Sequence, residues 1–414
     1  MGHDYFKEVV KDIKRAAKII GLPIDHVARL AHPRAEIRVA VPLVRDNGSI
    51  EVFTGYRVQH HNARGPFKGG IRLDPDVKPD MLKAIAAIMS LKCATMDIPW
   101  GGSHGAISCD PDKLSRGELE RVARRYTYML LPFIGPKKDI PAPDRGTDAQ
   151  FMSWIMDTFS TMHGHTITGV VTGKPVEVGG TRGRKDATGR GVMFITRRAL
   201  EDANIPLQGS TVTCIGFGNV GSFAAHHLAR KGCKVLAASD RHGGIHDPSG
   251  LDIHALREWV EEKGTVKGFP GAEPVTDDDI LAMDIDVLVS AARELTVTSK
   301  NQAKVNARII VEAANASVTS KAASALHERG IIVLPDILVS AGGVTASYFE
   351  WVQDTSSFFW SEHEIAVRLR DLMLQAYDDV NAIARERDLD LRTAAYVLSV
   401  GRLVEAQMRR GVWP

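Results

Sequence analysis

Three charged residues sit in glycine- and proline-rich settings that fix where a side chain points. Lys68 lies in Gly65-Pro66-Phe67-Lys68-Gly69-Gly70, Lys92 follows Met89-Ser90-Leu91, and Asp144 ends Pro141-Ala142-Pro143-Asp144. Between the last two runs Gly101-Gly102-Ser103-His104-Gly105-Ala106. Glycines beside a lysine remove side chains and let a ligand reach the backbone, so Gly69 and Gly70 join Lys68 as candidate binding residues. Two lysines can hold the two carboxylates of a dicarboxylic amino acid or 2-oxo acid. An aspartate can move protons while an imine forms and hydrolyses. His104 can give or take a proton near neutral pH. Each residue also has a plain structural reading. Lys92 fits a lysine snorkelling at a helix margin, and Asp144 fits an acid serving a helix dipole.

Elements must hold these residues. Phe6, Val9, Val10, Ile13, Ala17 and Ile20 recur at helical spacing until Gly21-Leu22-Pro23, which predicts an amphipathic first helix. Residues 37–45 and 49–59 flank Asp46-Asn47-Gly48, a hairpin signal. Residues 79–96 read as a helix that places Lys92 on an apolar stripe with Ile85 and Met89. Such a lysine is costly to bury unless it pairs or binds an anion. Thr147 and Gln150 have capping-box spacing at the start of a helix through Trp154, Ile155 and Phe159. From about Gly183 the pattern changes. Short apolar strands at 212–215, 235–238, 287–290, 309–313 and 331–334 alternate with helices at 219–231 and 252–262. That alternation predicts a parallel sheet covered on both faces. Beyond residue 360 the chain reads as helix.

The strand at 212–215 runs straight into Gly216-Phe217-Gly218-Asn219-Val220-Gly221 and then a helix. Gly216 permits the tight turn, Gly218 lets a pyrophosphate approach the backbone, and Gly221 allows close helix–strand packing. The N–H groups of Asn219, Val220 and Gly221 then open a helix N-terminus toward phosphate. Asp240 ends the next strand about 20 residues on, where an acid meets the adenosine ribose. A carboxylate there favours NAD. Arg241 follows at once and keeps NADP as the alternative.

The chain has 414 residues, 44% apolar and 25% charged, enough for two or three domains of ordinary soluble composition. A net charge of +2 gives no reason to expect nucleic acid or an anionic membrane as partner. No apolar run reaches a spanning length, and the charged start from Met1 to Lys14 has no secretory pattern. Cys93, Cys109, Cys214 and Cys233 form no C-x-x-C pair and fit a reducing cytosol, so the expected location is cytoplasmic. His163-Gly164-His165 has no carboxylate or cysteine cluster beside it, and His60-His61 alternates faces, so no metal site is expected.

With Gly173-Lys174-Pro175, Gly179-Gly180, Ala187-Thr188-Gly189-Arg190-Gly191, Pro335-Asp336, Ala341-Gly342-Gly343-Val344 and Ser347-Tyr348-Phe349-Glu350-Trp351, these segments form an ordered set across nearly the whole chain. The set resembles the glutamate/leucine/phenylalanine/valine dehydrogenase family, in its glutamate dehydrogenase branch. The resemblance implies an α/β fold of two domains. An α/β substrate and oligomerisation domain with a mixed sheet covers 1–182 and is completed by about 385–414. A Rossmann-like NAD(P)-binding domain covers 183–360. The helices of 361–414 return to the first domain. A cleft that closes on substrate and a homo-hexamer are also implied. Carried over by resemblance, Lys68 with Ser347 binds the side-chain carboxylate, Lys92 the α-carboxylate, and Asp144 transfers protons. Thr188 and Asn315 contact the cofactor.

The departures cluster. His104 stands where the family has a catalytic lysine. Ser290-Ala291-Ala292-Arg293-Glu294-Leu295, Ala313-Ala314-Asn315-Ala316-Ser317 and Ser340 differ in segments that surround the nicotinamide in the family. The reading that follows is NAD(P)-dependent oxidative deamination of L-glutamate, or a close dicarboxylic analogue, to the 2-oxo acid and ammonia, and the reverse. The alternative is a catalytically impaired regulatory or structural paralogue that binds an amino acid, in a hetero-oligomer with an active relative.

Overall fold

The structure is a computed structural model that describes residues 5–292 and 294–411. Arg293, in one of the divergent segments, falls outside them, as do Met1 to Asp4 at the start of the chain. Two compact units divide the chain. The first comprises Met1–Arg184, Val344–Ile365 and Tyr396–Pro414, and the second Lys185–Gly343 and Ala366–Ala395. These bounds differ from the expected ones, which kept 344–360 with the second domain and began the return to the first near 385.

In the first unit, strands β1 (Ala35–Val44), β2 (Ile50–His61), β3 (Phe67–Leu73), β4 (Gly102–Ile107) and β5 (Asp139–Pro143) form one sheet in the order β1-β2-β4-β3-β5. β1 and β2 are antiparallel from Val44↔Ile50 outward, through the loop that Asp46-Asn47-Gly48 predicts. Gly48 takes φ +84° there, a conformation that suits glycine. β3 runs parallel to both β4 and β5, so the sheet is mixed. One face packs Val41, Leu43, Ile71 and Ile107 against the helices Arg116–Leu130 and Ala149–His163. On the other face, Val58 and Ala106 meet Leu82 and Ala86 of the helix Pro79–Thr95. Alternation along the strands assigns neighbours such as Ala106 and Ile107 to opposite layers.

The first helix, Tyr5–Ile19, buries Val9, Ile13, Ala16 and Ala17. The helix Pro79–Thr95 is buried on almost every side, with Ser90, Lys92 and Thr95 enclosed beside its apolar residues. Lys92 is therefore inside a packed layer and not on a margin. The predicted Thr147–Gln150 capping box does not form. Asp148 caps the helix Ala149–His163 by accepting the Phe151 amide at 2.8 Å. Thr147 Oγ1 instead donates to Ile71 O at 2.8 Å and accepts the Asp144 amide at 2.9 Å. A stronger cap one residue later wins, and the displaced threonine ties the Asp144 loop to β3.

In the second unit, β6 (Thr211–Ile215), β7 (Lys234–Asp240), β8 (Gly243–His246), β9 (Glu273–Val275), β10 (Ile285–Ser290), β11 (Ala307–Glu312) and β12 (Ile332–Leu334) form a sheet ordered β12-β11-β10-β6-β7-β8-β9. The five strands from β12 to β7 are parallel, and β8 and β9 add an antiparallel edge. The chain leaves β6 toward β7 and later returns to β10 on the other side. That reversal is the switch point at which such sheets bind ligands.

Candidate functional site

β3 lies between β4 and β5 and gathers the candidate residues of the first unit. Lys68 is almost fully enclosed, at 1% exposure. Its ammonium donates to Ile140 O at 3.0 Å and Pro141 O at 3.3 Å, and stands 5.6 Å from the Trp100 ring centre. Burial drives the Lys68 ammonium well below the ordinary lysine range. The nearby charges of Arg184 and Arg57 add to this, while Glu350 opposes it. Arg184 donates from Nε to Ser347 Oγ at 3.3 Å. Lys68, Arg184 and Ser347 thus lie together as a buried basic, hydroxyl-bearing cluster, and no carboxylate bonds Lys68 among the described residues. An acidic group is the chemistry such a cluster complements. The charges of Lys68 and Lys92 both reach Cys93, whose thiol burial pushes up to about 12, so the two lysines share one neighbourhood.

Gly70, two residues past Lys68 on the same face of β3, opens the way to His104 and Asp144. A Cβ at Gly70 would lie 2.8 Å from Asp144 Cβ and 3.1 Å from His104 Cε1. At Gly69 a Cβ would lie 1.6 Å from Ser103 O, so that glycine lets β3 and β4 pack. His104 is buried at 3% exposure, with Nε2 3.3 Å from Asp144 Oδ2. Neither ring nitrogen completes a hydrogen bond of good geometry. Arg72 Nε donates to the same Asp144 oxygen at 2.9 Å. Burial opposes ionisation of Asp144, but the His104 and Arg72 contacts outweigh it and hold the carboxyl below its usual range. Burial moves His104 toward the neutral imidazole, with Asp144 opposing. His104 and Arg72 together therefore keep Asp144 ionised at neutral pH, and Arg72 is the permanent charge of the two.

Beneath this site lies a network the sequence reading did not single out. Arg57 is fully buried and donates from Nε to Asp139 Oδ2 at 2.9 Å and from Nη1 to Gly70 O at 2.9 Å. Its Nη2 donates to Ser103 Oγ at 2.7 Å, and Ser103 Oγ donates to Asp139 Oδ1 at 2.7 Å. Gln59 Nε2 reaches Asp139 Oδ2 at 3.0 Å. Four strands are tied together by these bonds under the glycines of β3. Arg57 was detectable as an arginine at an inward-facing position between Tyr56 and Val58. Arg72, Asp139, Arg184 and Glu350 carry no comparable local signal, because their roles depend on distant partners.

The second unit holds the dinucleotide candidates. Gly216 has φ +98°, and a Cβ there would lie 2.4 Å from Ala292 N. A Cβ on Gly221 would lie 1.8 Å from Gly216 O, whereas Gly218 has open space within 4 Å. Gly218 precedes the helix Asn219–Arg230 with no side-chain cap. The first-turn amides at Asn219 and Val220 therefore lack a capping partner, and the bare backbone at Gly218 fits a pyrophosphate. Asp240 ends β7. Its Oδ1 accepts the His242 amide at 2.7 Å and its Oδ2 the Val266 amide at 2.8 Å. Arg241 Nε donates to His242 Nε2 at 3.0 Å. Thr188 lies in the first turn of the helix Ala187–Asp202 and is half-buried. Asn315 is half-buried in the loop after β11. Glu312 and Asp336 hold that loop by accepting the amides of Val318 at 2.6 Å and Ala316 at 2.7 Å. Among the divergent residues, Ser290 and Ser317 have buried hydroxyls without partners, and Ser340 Oγ donates to Asp336 O at 2.8 Å.

His60 and His163, each from a histidine pair in the sequence, have hydrogen-bond partners within the first unit. His60 bonds Ser90 Oγ at 2.8 Å and Leu30 O at 3.0 Å, and His163 bonds Phe159 O at 2.8 Å. No group of three or more His, Cys, Asp or Glu among the described residues is arranged to hold a metal ion. No described helix is long and apolar enough to cross a membrane.

Comparison with known proteins places these features in context. Residues 179–411 match the family model Glutamate/Leucine/Phenylalanine/Valine dehydrogenase, and residues 33–161 match Glu/Leu/Phe/Val dehydrogenase, dimerisation domain. The chain is 46% identical over 410 residues to a glutamate dehydrogenase of Thermotoga maritima, covering 99% of each. It is 42% identical over 399 residues to the catabolic NAD-specific glutamate dehydrogenase RocG of Bacillus subtilis, covering 96% of this chain and 94% of that one. A solved hetero-hexameric glutamate dehydrogenase of Thermus thermophilus, in its leucine-bound form, superposes with a TM-score of 0.95 at 40% identity, covering 99% and 98%.

Proposed function

The chain belongs to the glutamate/leucine/phenylalanine/valine dehydrogenase family, and on that premise we propose that it oxidatively deaminates L-glutamate, or a close dicarboxylic analogue, and runs the reverse reductive amination. The carrying observation is the placement of the His104–Asp144 contact one glycine away from the buried Lys68 strand face. Lys68, Arg184 and Ser347 hold the distal carboxylate, and Lys92 holds the α-carboxylate. A nicotinamide dinucleotide held at Gly216, Gly218 and the start of the helix Asn219–Arg230 would supply the acceptor for the hydride of the substrate α-carbon. Asp144, kept ionised by His104 and Arg72, takes the proton that leaves the α-ammonium as the C–N bond becomes an imine. It returns that proton to the nitrogen once water has added to the imine carbon, and the protons of the water leave through His104 as the C–N bond breaks and ammonia departs. We place His104 at the position of the family's catalytic lysine. Its neutral imidazole, in contact with Asp144, passes protons but supplies no fixed cation to polarise the carbonyl. The carboxylate of Asp240 disfavours a 2′-phosphate, and Arg241 is engaged by His242, which supports NAD over NADP.

One observation favours a second reading. His104 in the first unit, which burial moves toward the neutral imidazole, and the partnerless Ser290 and Ser317 hydroxyls in the second leave fewer charged groups for the chemical step than for substrate binding. In that reading the chain is an impaired regulatory subunit of a hetero-hexamer, an assembly of the kind described for the T. thermophilus relative, and otherwise it forms a homo-hexamer. The purified chain separates the two. NADH formation with glutamate, above that with a panel of monocarboxylic amino acids, supports the enzyme. Glutamate binding without turnover on NAD or NADP supports the regulatory subunit.

A further inference from the structure

One face of the helix Gly342–Ser356 carries Ser347, Glu350 and Asp354, spaced by three and then four residues so that they stack along it. Ser347 meets Arg184 at the top of this stripe. A turn on, Glu350 is fully buried and accepts the Gly173 amide at 2.9 Å and Lys174 Nζ at 2.6 Å. Another turn on, Asp354 Oδ2 accepts from the same Lys174 Nζ at 2.8 Å. Lys174 spends its remaining proton on Val171 O at 2.9 Å. One buried lysine thus serves two buried carboxylates, and the group holds an excess negative charge when all three are ionised.

Asp354 Oδ1 is the uncompensated atom of the group. It is buried without a hydrogen-bond partner. A Cβ at Gly179 would lie 2.8 Å from it and 3.3 Å from Thr168 Cβ, so these residues wall it in, and the Thr168 side chain favours the ionised carboxyl. The charged groups that face Asp354 are Lys174 and Glu350. A bare carboxylate oxygen opposite a second carboxylate in a dry site is where a proton settles. Burial and Glu350 raise the Asp354 carboxyl to about 6 against the pull of Lys174 and Thr168. The stripe also acts on the pocket at its top, since Glu350 opposes the loss of charge that burial imposes on Lys68 and Arg184.

We propose that Asp354 makes distal-carboxylate binding proton-linked: it takes up a proton when a carboxylate settles against Lys68, Arg184 and Ser347. The inference rests on reading that pocket as the distal-carboxylate site. A substrate carboxylate adds negative charge above Glu350 and Asp354, which favours the protonated form of Asp354. By reciprocity, protonated Asp354 favours the carboxylate. Affinity for a dicarboxylic amino acid therefore rises as pH falls through about 6. A monocarboxylic amino acid of the same length lacks the group that couples.

Two readouts on the assembled protein test this, with Asp354→Asn as the variant. The first is Tm against pH and needs no ligand. The folded-state value lies above that of the unfolded chain, so the stability Asp354 contributes is present at low pH and lost as pH rises through about 6. Wild-type Tm minus variant Tm should therefore fall between about pH 4 and about pH 6 and level off above that. If Asp354→Asn does not fold, Glu350→Gln frees Lys174 for Asp354 alone and should shift the loss of stability to lower pH. The second readout is calorimetric binding of glutamate and norvaline in buffers of different ionisation enthalpy. Wild type should bind glutamate with proton uptake and roughly fivefold tighter at about pH 5.5 than at about pH 7.5, while the variant changes by less than about twofold. Norvaline should show no difference between the proteins. A flat Tm difference overturns the inference at Asp354 itself. A changing Tm difference with the same glutamate pH dependence in both proteins overturns the coupling. No glutamate binding by wild type overturns the reading of the Lys68 pocket and the inference with it, and the ligand-free Tm profile tells that failure from the first.

Discussion

His104 meets Asp144 at 3.3 Å from a buried position and holds its imidazole neutral. On the proposed mechanism His104→Ala removes a proton-passing group, and kcat with glutamate should fall by about 100-fold or more. His104→Lys restores a cation at the reacting centre and should raise kcat above wild type, with KM changing little. Steady-state kinetics of the three proteins check this, and equal rates in all three would remove His104 from the reacting centre. The residue types were legible in the sequence: Lys68, Lys92, Asp144 and His104 stand out by their glycine and proline settings. Arg72 and Arg184 were not legible, because an arginine shows its role only through what it touches. Arg72 is 72 residues from the Asp144 carboxylate it bonds, and Arg184 is 163 from Ser347.

Strand β3 works as a spacer between the groups it gathers. Its two glycines look alike in sequence and differ in what they protect. A Cβ on Gly70 presses on Asp144 and the edge of His104, whereas a Cβ on Gly69 enters the backbone of β4 at Ser103. Gly70→Ala should therefore fold, with Tm within about 5 °C of wild type, and lose at least roughly tenfold in kcat from the displaced carboxylate. Gly69→Ala should fail to yield folded protein, since backbone cannot yield as a side chain can. Circular dichroism and turnover on the two variants decide the point. Elements set by local rules were readable. The hairpin at 45–49 follows from Asp-Asn-Gly, and the turn at Gly216 from its glycine spacing. The Thr147 cap was not readable, because Asp148 competes for the same amides and the threonine gains a bond to Ile71 O on another strand.

Each compact unit takes its helical cover from distant parts of the chain, and in the second unit a buried ion pair secures one such return. Arg392 Nη1 donates to Glu312 Oε2 at 2.9 Å and lies 3.8 Å from Asp336 Oδ1. Burial raises the Glu312 carboxyl to about 7, with Arg392 pulling it down and Asp336 pushing it up. Because that value lies above the unfolded one, the contribution of Glu312 to stability is present in acid and lost as pH rises through about 7. Arg392→Leu leaves both carboxylates without their cation. It should cost about 3–5 kcal/mol at about pH 8 and less at about pH 5.5, where Glu312 is protonated in either protein. Denaturant unfolding at the two pH values measures the difference, and a cost independent of pH would mean that Glu312 does not titrate. Without any structure, the sequence determined the two-part α/β organisation and the strand–glycine–helix turn, and it marked Lys68 and Lys92 as candidates for binding carboxylates. Those follow from periodicity, glycine geometry and side-chain chemistry, which act over short stretches of chain. Tertiary structure alone decided that Arg57 and Asp139 underlie the site, that Arg72 and His104 both meet the Asp144 carboxylate, and that Lys174 is shared by Glu350 and Asp354. Charge states and partners of buried groups depend on which distant segments meet, and no local pattern records that.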